Sequence, residues 1–214
     1  MARSRAAVVE EIEGSDGQDR RARLLAAGVA IFSQTRYDDV AVSDIADHAG
    51  VAHGLLFHHF GTKRAFYLAV VEEANRAAQE RFAANTVTDP ARWFKRELDQ
   101  FLRSIAQESQ IFLMLMHGVA GAEPETRAIV EGARNAAARR IIDKLAPARS
   151  TPLLEMAVLA WVESANQLGE QWISNPIVPR ARIPRILTQM LTATLEGVAA
   201  QDKTAGFDPR AFVL

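Results

Sequence analysis

Four of the five histidines in the chain, His48, His53, His58 and His59, lie close together in the stretch HAGVAHGLLFHHFGTKRAF. Imidazoles grouped in this way could bind a metal ion, titrate near neutral pH or contact nucleic acid. Adjacent residues on a helix point about 100° apart, and no carboxylate stands four residues after the His58-His59 pair, so the pair does not predict a metal site. The choice between the remaining uses depends on the elements that carry the histidines.

Short amphipathic segments around these histidines predict a helix-turn-helix. Apolar residues recur at helical spacing over 19–35 and again over 42–49. Gly50 is expected to end the second helix in the left-handed conformation, and a third short helix is expected to end at Phe60. Thr62 is a suitable N-cap for a long fourth helix over 63–84. Three short helices, the last two joined by a tight glycine turn, are typical of the helix-turn-helix.

The rest of the chain also has a helical pattern. Asp89-Pro90, Glu123-Pro124 and Thr151-Pro152 each place a polar residue before a proline, which is typical of a helix start. The apolar segment 109–121 predicts a centrally buried helix, and a final helix is predicted over 184–199. We therefore predict an all-α protein of about nine helices. Its expected parts are a DNA-binding head over 18–64, a connecting helix over 63–84, a helical body over 85–200, and tails over 1–17 and 201–214.

Composition limits the classes of protein that the chain can represent. Of its 214 residues, 49% are hydrophobic and 24% charged, the net charge is −1, and cysteine is absent. This composition is typical of a globular chain, excludes thiolate catalysis and fits a reducing, cytoplasmic compartment. The longest apolar run, 111–116, is too short to span a bilayer. Any nucleic-acid surface must be local, since 18–64 carries six basic and five acidic residues.

Residues 20–70 resemble the TetR family of bacterial transcription repressors. The likeness lies in the order and spacing of one set of residues. They are Phe32, Tyr37, Val42, Ile45-Ala46, Ala49-Gly50-Val51, Leu56, His59-Phe60, Gly61, Lys63 and Phe66. The resemblance implies a homodimer whose amino-terminal heads bind a DNA operator. It also implies a carboxy-terminal body that binds a small molecule and thereby releases the operator.

The third helix, about 53–60, is expected to enter the major groove, with Leu56 and Phe60 facing inward. A neutral imidazole can donate or accept at a base edge, and Leu55 could contact a thymine methyl group. Thr62 and Lys63 begin the fourth helix, whose amino end favours a phosphate. His48 is expected to be solvated. The predicted DNA contacts are Ser43, His53, Gly54, Leu55, Phe57, His58, His59, Thr62 and Lys63.

Four positions depart from the family's usual pattern. Ala41, Ala52, Leu55 and Phe57 stand where a hydroxyl is usual, to cap a helix or bind phosphate. A lost cap costs about 1 kcal/mol of helix stability, although Ser43 could cap the second helix instead. These departures support an alternative function, a helical protein-interaction module with a degenerate DNA head.

The body contains more large apolar residues than simple helix pairing requires. They could line a pocket for an apolar or amphipathic effector, or they could pack as core, and His117 could equally be a core histidine. The candidate pocket residues are Trp93, Phe112, Met114, Met116, His117, Trp161, Asn166 and Trp172. The last two helices are expected to pair with their copies in a four-helix bundle.

The predicted function is a ligand-released, dimeric repressor of a palindromic operator. A helical hydrolase or a metal enzyme is the competing class. The chain lacks a glycine-rich phosphate loop, Gly-x-Ser-x-Gly and His-Glu-x-x-His, so neither is favoured. We therefore expect no enzyme activity, no metal, no cofactor and no membrane association.

Overall fold

A computed structural model describes the backbone of residues 5–117 and 124–213, and the side chains of 17–113 and 127–213. These ranges contain α-helices and no strand, which confirms the predicted all-α class. Nine α-helices lie within them: α1 (Arg5–Phe32), α2 (Val42–Ala49), α3 (Gly54–Phe60), α4 (Lys63–Ala83), α5 (Pro90–Gln107), α6 (Ser109–His117), α7 (Pro124–Leu145), α8 (Pro152–Ser174) and α9 (Ile183–Gln201). Short 3-10 helices occupy Tyr37–Asp39 and Arg180–Arg182.

The chain divides into two compact units, Met1–Arg76 and Ala77–Leu214. The first contains α1 to α3 and most of α4, and the second contains α5 to α9. The amino-terminal tail prediction needs correction, because α1 already begins at Arg5.

The core of the first unit is built around aromatic rings from α1 and α4. Phe32 and Phe66 are almost fully buried, and the Phe32 ring meets Tyr67 edge-on at 4.8 Å between centroids. Gly28 permits the close approach of the two helices, because a Cβ atom there would lie 2.4 Å from Cγ2 of Val70. The apolar stripe of α1 therefore packs directly on α4.

Local capping signals place α2 and α4. Gly50 ends α2 at φ 63° and ψ 43°, the left-handed conformation that its identity predicted. Oγ1 of Thr62 accepts a hydrogen bond from the backbone N–H of Ala65 at 3.0 Å, so Thr62 caps α4 as expected. The expectation that Ser43 caps α2 is wrong, because the N-cap position is Ala41 and makes no side-chain bond. Ser43 lies one residue inside the helix, beyond the cap position.

The second unit has one core formed by α5, α7, α8 and α9. Two helix starts agree with their capping signals. Oδ1 of Asp89 accepts from the N–H of Arg92 at 2.8 Å, and Oγ1 of Thr151 accepts from the N–H of Leu154 at 3.4 Å. The Trp161 indole crosses between α8 and α9, donating through Nε1 to the carbonyl of Leu187 at 3.1 Å. The polar groups at these points are thus satisfied within the fold.

The carboxy-terminal segment after α9 is packed, which corrects its prediction as a tail. Ala205 and Phe212 are buried, and the Phe212 ring lies 4.8 Å from that of Phe94. The backbone of this segment is also bonded, since the N–H of Ala148 donates to the carbonyl of Gly206 at 3.0 Å. A segment without helical periodicity is attached here by long-range contacts, which the helical pattern of the sequence does not record.

Candidate nucleic-acid interface

One face of α3 is exposed while the opposite face is anchored. Leu56 is fully buried, as predicted, and Phe60 is half-buried against Phe66, with 5.0 Å between ring centroids. The exposed residues are His53, which precedes the helix, and Gly54, Phe57 and His58 within it. Their spacing of one, four and five residues places them on a single side of the helix. The structure therefore presents four of the nine predicted DNA-contact residues together.

Leu55 and His59 lie at the edge of this exposed face, and both are half-buried. Nε2 of His59 is buried and has no hydrogen-bond partner. The His59 ring contacts that of His58 at 5.4 Å and that of Phe60 at 6.2 Å. Partial burial lowers the pKa of His59 below 6.5, and the nearby charges of His58, Arg21 and Arg20 lower it further. His59 is therefore not turned fully outward as the sequence predicted, because its ring packs against neighbours.

At the start of α4, Lys63 is held by the 3-10 turn that follows α1. Its Nζ atom donates to the carbonyl oxygen of Tyr37 at 2.7 Å and lies 4.3 Å from the centre of the Tyr37 ring. An ammonium group has three donors, so this bond leaves two for a phosphate. Thr62 is exposed beside it, with its hydroxyl oxygen used as the helix cap. The two residues predicted to bind phosphate thus share one helix end.

Ser43 lies in the first turn of α2 and is half-buried. Its hydroxyl donates to the carboxylate of the neighbouring Asp44 at 3.3 Å. This acidic neighbour disfavours a phosphate at the same place, because like charges repel. The positive end of the α2 dipole lies at the same helix end and favours a phosphate, which opposes the effect of Asp44. His48 is exposed near the other end of α2, in agreement with its prediction as a solvated residue.

Two supporting residues of the head were not predicted from the sequence. Arg23 in α1 donates through Nη2 to the carbonyl of Ala49 at 2.6 Å and to that of Gly50 at 2.9 Å. Arg21, also in α1, lies 5.2 Å above the ring of Phe60. All three partner residues are more than twenty positions away along the chain, so local periodicity does not predict these contacts. Together they attach α1 to α2 and α3, which keeps the exposed face of α3 in place.

In the body, the predicted pocket residues are placed in different surroundings. Trp93 and Trp161 are buried and belong to the hydrophobic core. Phe112 and Asn166 are half-buried, and Trp172 is also half-buried, with its Nε1 donating to the carbonyl of Val178 at 3.1 Å. The side chains of Met114, Met116 and His117 lie outside the described residues. The two buried tryptophans thus have a packing role, and the pocket remains a prediction.

The described residues contain no cluster of three or more potential metal ligands. A separate search of the same part of the chain finds no helix that combines the length and the apolar character needed to cross a membrane.

A short helix that follows a glycine turn, exposed on one face and anchored on the other, defines a helix-turn-helix protein. Residues 24–70 match the family model described as bacterial regulatory proteins, tetR family. Residues 90–194 match the model of the tetracyclin repressor-like C-terminal domain. The chain belongs to the TetR family, whose members are transcriptional regulators rather than enzymes.

Individual relatives agree with this assignment. The transcriptional activator FasR of Mycolicibacterium smegmatis is 30% identical over 127 residues, which are 58% of this chain and 58% of FasR. The regulator EthR of the same organism is 25% identical over 91 residues, 41% of this chain and 42% of EthR. A TetR-family regulator from Streptomyces coelicolor superimposes with a TM-score of 0.79 at 25% identity, covering 87% of this chain and 84% of that one. The aligned segments thus span less than two thirds of either curated relative.

Proposed function

We propose that this chain is a dimeric repressor that reads a palindromic DNA operator with the exposed face of α3. The observation that carries the proposal is the anchored helix itself. Leu56 is buried behind it, while His53, Phe57 and His58 are exposed in front. A helix of this kind fits the major groove, where imidazole donors and acceptors distinguish base edges. Gly54 lets the backbone of the same face approach the DNA closely.

Phosphate contacts come from the start of α4 in this proposal. Lys63 carries two ammonium donors that the Tyr37 carbonyl does not use. The head has a nearly balanced charge, so a few placed contacts rather than a broad basic surface hold the DNA. The binding constant should therefore depend only modestly on salt.

The dimer is formed by α8 and α9 in this proposal. Leu153 and Met156 on α8 are 41% and 70% exposed, and Ile186 on α9 is 43% exposed. Large apolar side chains exposed on two adjacent helices favour a protein interface. Pairing with a second copy would build a four-helix bundle and place two heads about 34–36 Å apart, one turn of DNA.

The effector of this repressor is an apolar or amphipathic small molecule bound in the body. Support comes from the half-buried aromatic side chains of α5 and α6, where Phe101 and Phe112 lie 6.4 Å apart edge-on. Apolar, aromatic surroundings with a few polar groups are typical of small-molecule sites, and the half-buried Asn166 on α8 is a candidate polar group. The repressor would act in the cytoplasm, where its operator lies.

Selection of duplexes from a random DNA pool tests the DNA-binding function. Enrichment of a two-fold symmetric sequence is the expected result. Failure to enrich any sequence at low salt would overturn it and favour the protein-interaction module instead. Because the relative FasR is named an activator, a reporter gene placed behind the selected operator determines the sign of regulation. Repression in the presence of this chain is the expected outcome, and increased expression would contradict it.

Sedimentation of a Met156→Asp variant tests the dimer. A buried carboxylate would disfavour the bundle, so the variant should sediment as a monomer where the wild-type chain is a dimer. Val213→Asp is the matched control, because Val213 is 48% exposed but lies outside α8 and α9. If the wild-type chain is itself a monomer at the concentrations that bind DNA, the dimeric part of the proposal fails.

A further inference from the structure

Among the predicted DNA-contact residues, His59 is the one with a buried polar atom that lacks a hydrogen-bond partner. Among the residues that the structure describes, three buried side-chain nitrogen or oxygen atoms lack a hydrogen-bond partner, and Nε2 of His59 is one of them. Nδ1 of the same ring is not in that group. The two nitrogens of one imidazole are therefore in different environments, with Nε2 on the inner side of the ring.

This difference decides where the proton of a neutral imidazole lies. The neutral ring has one N–H donor and one lone-pair acceptor. Buried N–H groups without an acceptor are rarer in folded proteins than buried acceptors without a donor. The proton is consequently favoured on Nδ1, and Nε2 keeps its lone pair in the buried position.

The neighbours of His59 also disfavour a second proton. His58 on α3 touches the ring, and Arg20 and Arg21 on α1 add positive charge. A proton on Nε2 would create a buried donor without an acceptor beside these cations. Burial and charge therefore act in the same direction and favour the neutral form of His59.

The geometry assigns His59 as a fixed, neutral hydrogen-bond donor that presents Nδ1–H to an acceptor on the DNA. This inference rests on the proposed DNA-binding function and adds to it the hydrogen-bonding role of one residue, which specifies sequence only where the acceptor lies on a base. In the major groove, acceptors are the N7 atoms of purines, O6 of guanine and O4 of thymine, and phosphate oxygens also accept. A donor that cannot become an acceptor discriminates against the amino edges of cytosine and adenine. His58, which is exposed, is not restricted in this way.

Nitrogen NMR of the ¹⁵N-labelled full-length chain tests the tautomer without DNA. The long-range correlations of His59 should show a protonated Nδ1 and an unprotonated Nε2 at pH 6.5. The cross-peaks are assigned by their loss in His59→Asn. A proton on Nε2, or a doubly protonated ring at that pH, would overturn the assignment.

Binding of two variants tests the donor role. The amide nitrogen of Asn can occupy the place of Nδ1, whereas that of Gln reaches the place of Nε2. On the duplex selected by the wild-type chain, His59→Asn should bind as well as wild type to within twofold. His59→Gln should bind roughly fivefold more weakly, the loss of one hydrogen bond. Equal binding by the two variants would overturn the donor role, provided that both give the wild-type circular dichroism and melting temperature.

Further variants and duplexes complete this test. His48→Asn and His48→Gln are the matched pair, because His48 is exposed on α2 and is not one of the predicted DNA contacts, and they should not differ from each other. The difference between the His59 variants should vanish on 7-deazapurine duplexes if the acceptor is N7, or on methylphosphonate duplexes if it is a phosphate. If no duplex binds even the wild-type chain, the proposed function has failed, whereas the tautomer of His59 is still decided by NMR.

Discussion

The guanidinium of Arg23 in α1 donates to the carbonyl oxygen of Gly50, the residue that ends α2, at 2.9 Å. It also donates to the carbonyl of Ala49 at 2.6 Å. A helix end leaves its last carbonyls without partners, and a cation there is favoured by the helix dipole. A Cβ atom on Gly50 would lie only 2.8 Å from Nη2 of Arg23. The glycine thus provides both the left-handed turn and the space for the arginine that closes it.

Gly50→Ala should destabilise the head by about 2 kcal/mol. The left-handed conformation disfavours a side chain by roughly 1–2 kcal/mol, and the new methyl group would displace Arg23. The control is Gly50→Ala in an Arg23→Ala background, where the backbone strain remains and the contact with Arg23 is absent. Urea unfolding followed by circular dichroism measures both variants. Equal losses would show that contact with Arg23 adds nothing to the backbone strain.

Gly28→Ala should destabilise the head through overpacking by about 1–3 kcal/mol. The new Cβ would lie 2.4 Å from Cγ2 of buried Val70 and 2.7 Å from Cζ of buried Phe66. Gly132→Ala is the contrasting change, because Gly132 lies in α7 with open space around it. That substitution should stabilise the protein by up to about 1 kcal/mol, since alanine favours the helix. Thermal unfolding of the two variants should therefore shift in opposite directions.

Glu97 and Arg140 form a largely buried polar cluster in the second unit. Glu97 accepts from Nδ2 of Asn85 at 2.9 Å and from Nε of Arg140 at 3.4 Å, while Nη1 of Arg140 donates to Gln79 at 2.8 Å. Burial raises the pKa of Glu97, and the bonds from Asn85 and Arg140 offset this only in part. The folded state thus takes up the Glu97 proton at a higher pH than the unfolded state does.

Arg140→Met should cost about 3 kcal/mol at pH 7, because it leaves a buried carboxylate without its cation. The pKa of Glu97 should then rise further, since the nearby positive charge is gone. As the pH falls through this raised pKa towards 4.5, the folded state gains protons and the loss should shrink. Urea unfolding at pH 7 and pH 5 measures how much smaller the loss of stability becomes at the lower pH. In the double variant Glu97→Gln with Arg140→Met, the stability should not show this dependence on pH. If the stability lost in Arg140→Met alone is the same at both pH values, the role of Glu97 is contradicted.

Phe212→Ala should destabilise the second unit by about 3–5 kcal/mol, the usual cost of emptying an aromatic core site. The Phe212 ring is 2% exposed and lies 6.2 Å from that of Trp93. Val213→Ala, one residue further on and 48% exposed, should change stability by less than about 0.5 kcal/mol. The test compares denaturant midpoints of the two variants. Similar small effects would mean that the carboxy-terminal segment contributes little to the fold.

His58→Ala should relax the base preference at one position in each half-site, because the exposed imidazole contacts a base edge in the proposed complex. Lys63→Met should instead weaken binding to all sequences alike. The slope of the logarithm of the binding constant against the logarithm of the salt concentration should fall in magnitude by about one. Methionine is chosen because its chain can still cover the Tyr37 ring, which lies 4.3 Å from the ammonium of Lys63. Sequencing of the duplexes bound by each variant distinguishes the two roles. If both variants give the same pattern, the roles are wrongly assigned.

Helix boundaries were determined by the sequence itself wherever the signal was local. Asp89 and Thr151 accept hydrogen bonds from N–H groups three residues ahead, and Gly50 ends its helix through its own backbone conformation. These interactions act within one helical turn, so residue types and spacing suffice to predict them. The same holds for Leu56, whose burial follows from its spacing to Phe60.

Only the tertiary structure decided which side chains meet. Phe212 was predicted to lie in a tail and is core, and Lys63 is tied to a carbonyl 26 residues away. His59 was predicted to face outward, whereas its Nε2 is buried and its ring contacts those of His58 and Phe60. Such contacts join residues far apart along the chain. The periodicity of the sequence predicts that a residue faces inward, but it does not predict which residues it contacts. The grouping of the histidines in the head was therefore evident from the sequence, whereas the charges that α1 brings near His59 depended on the tertiary structure.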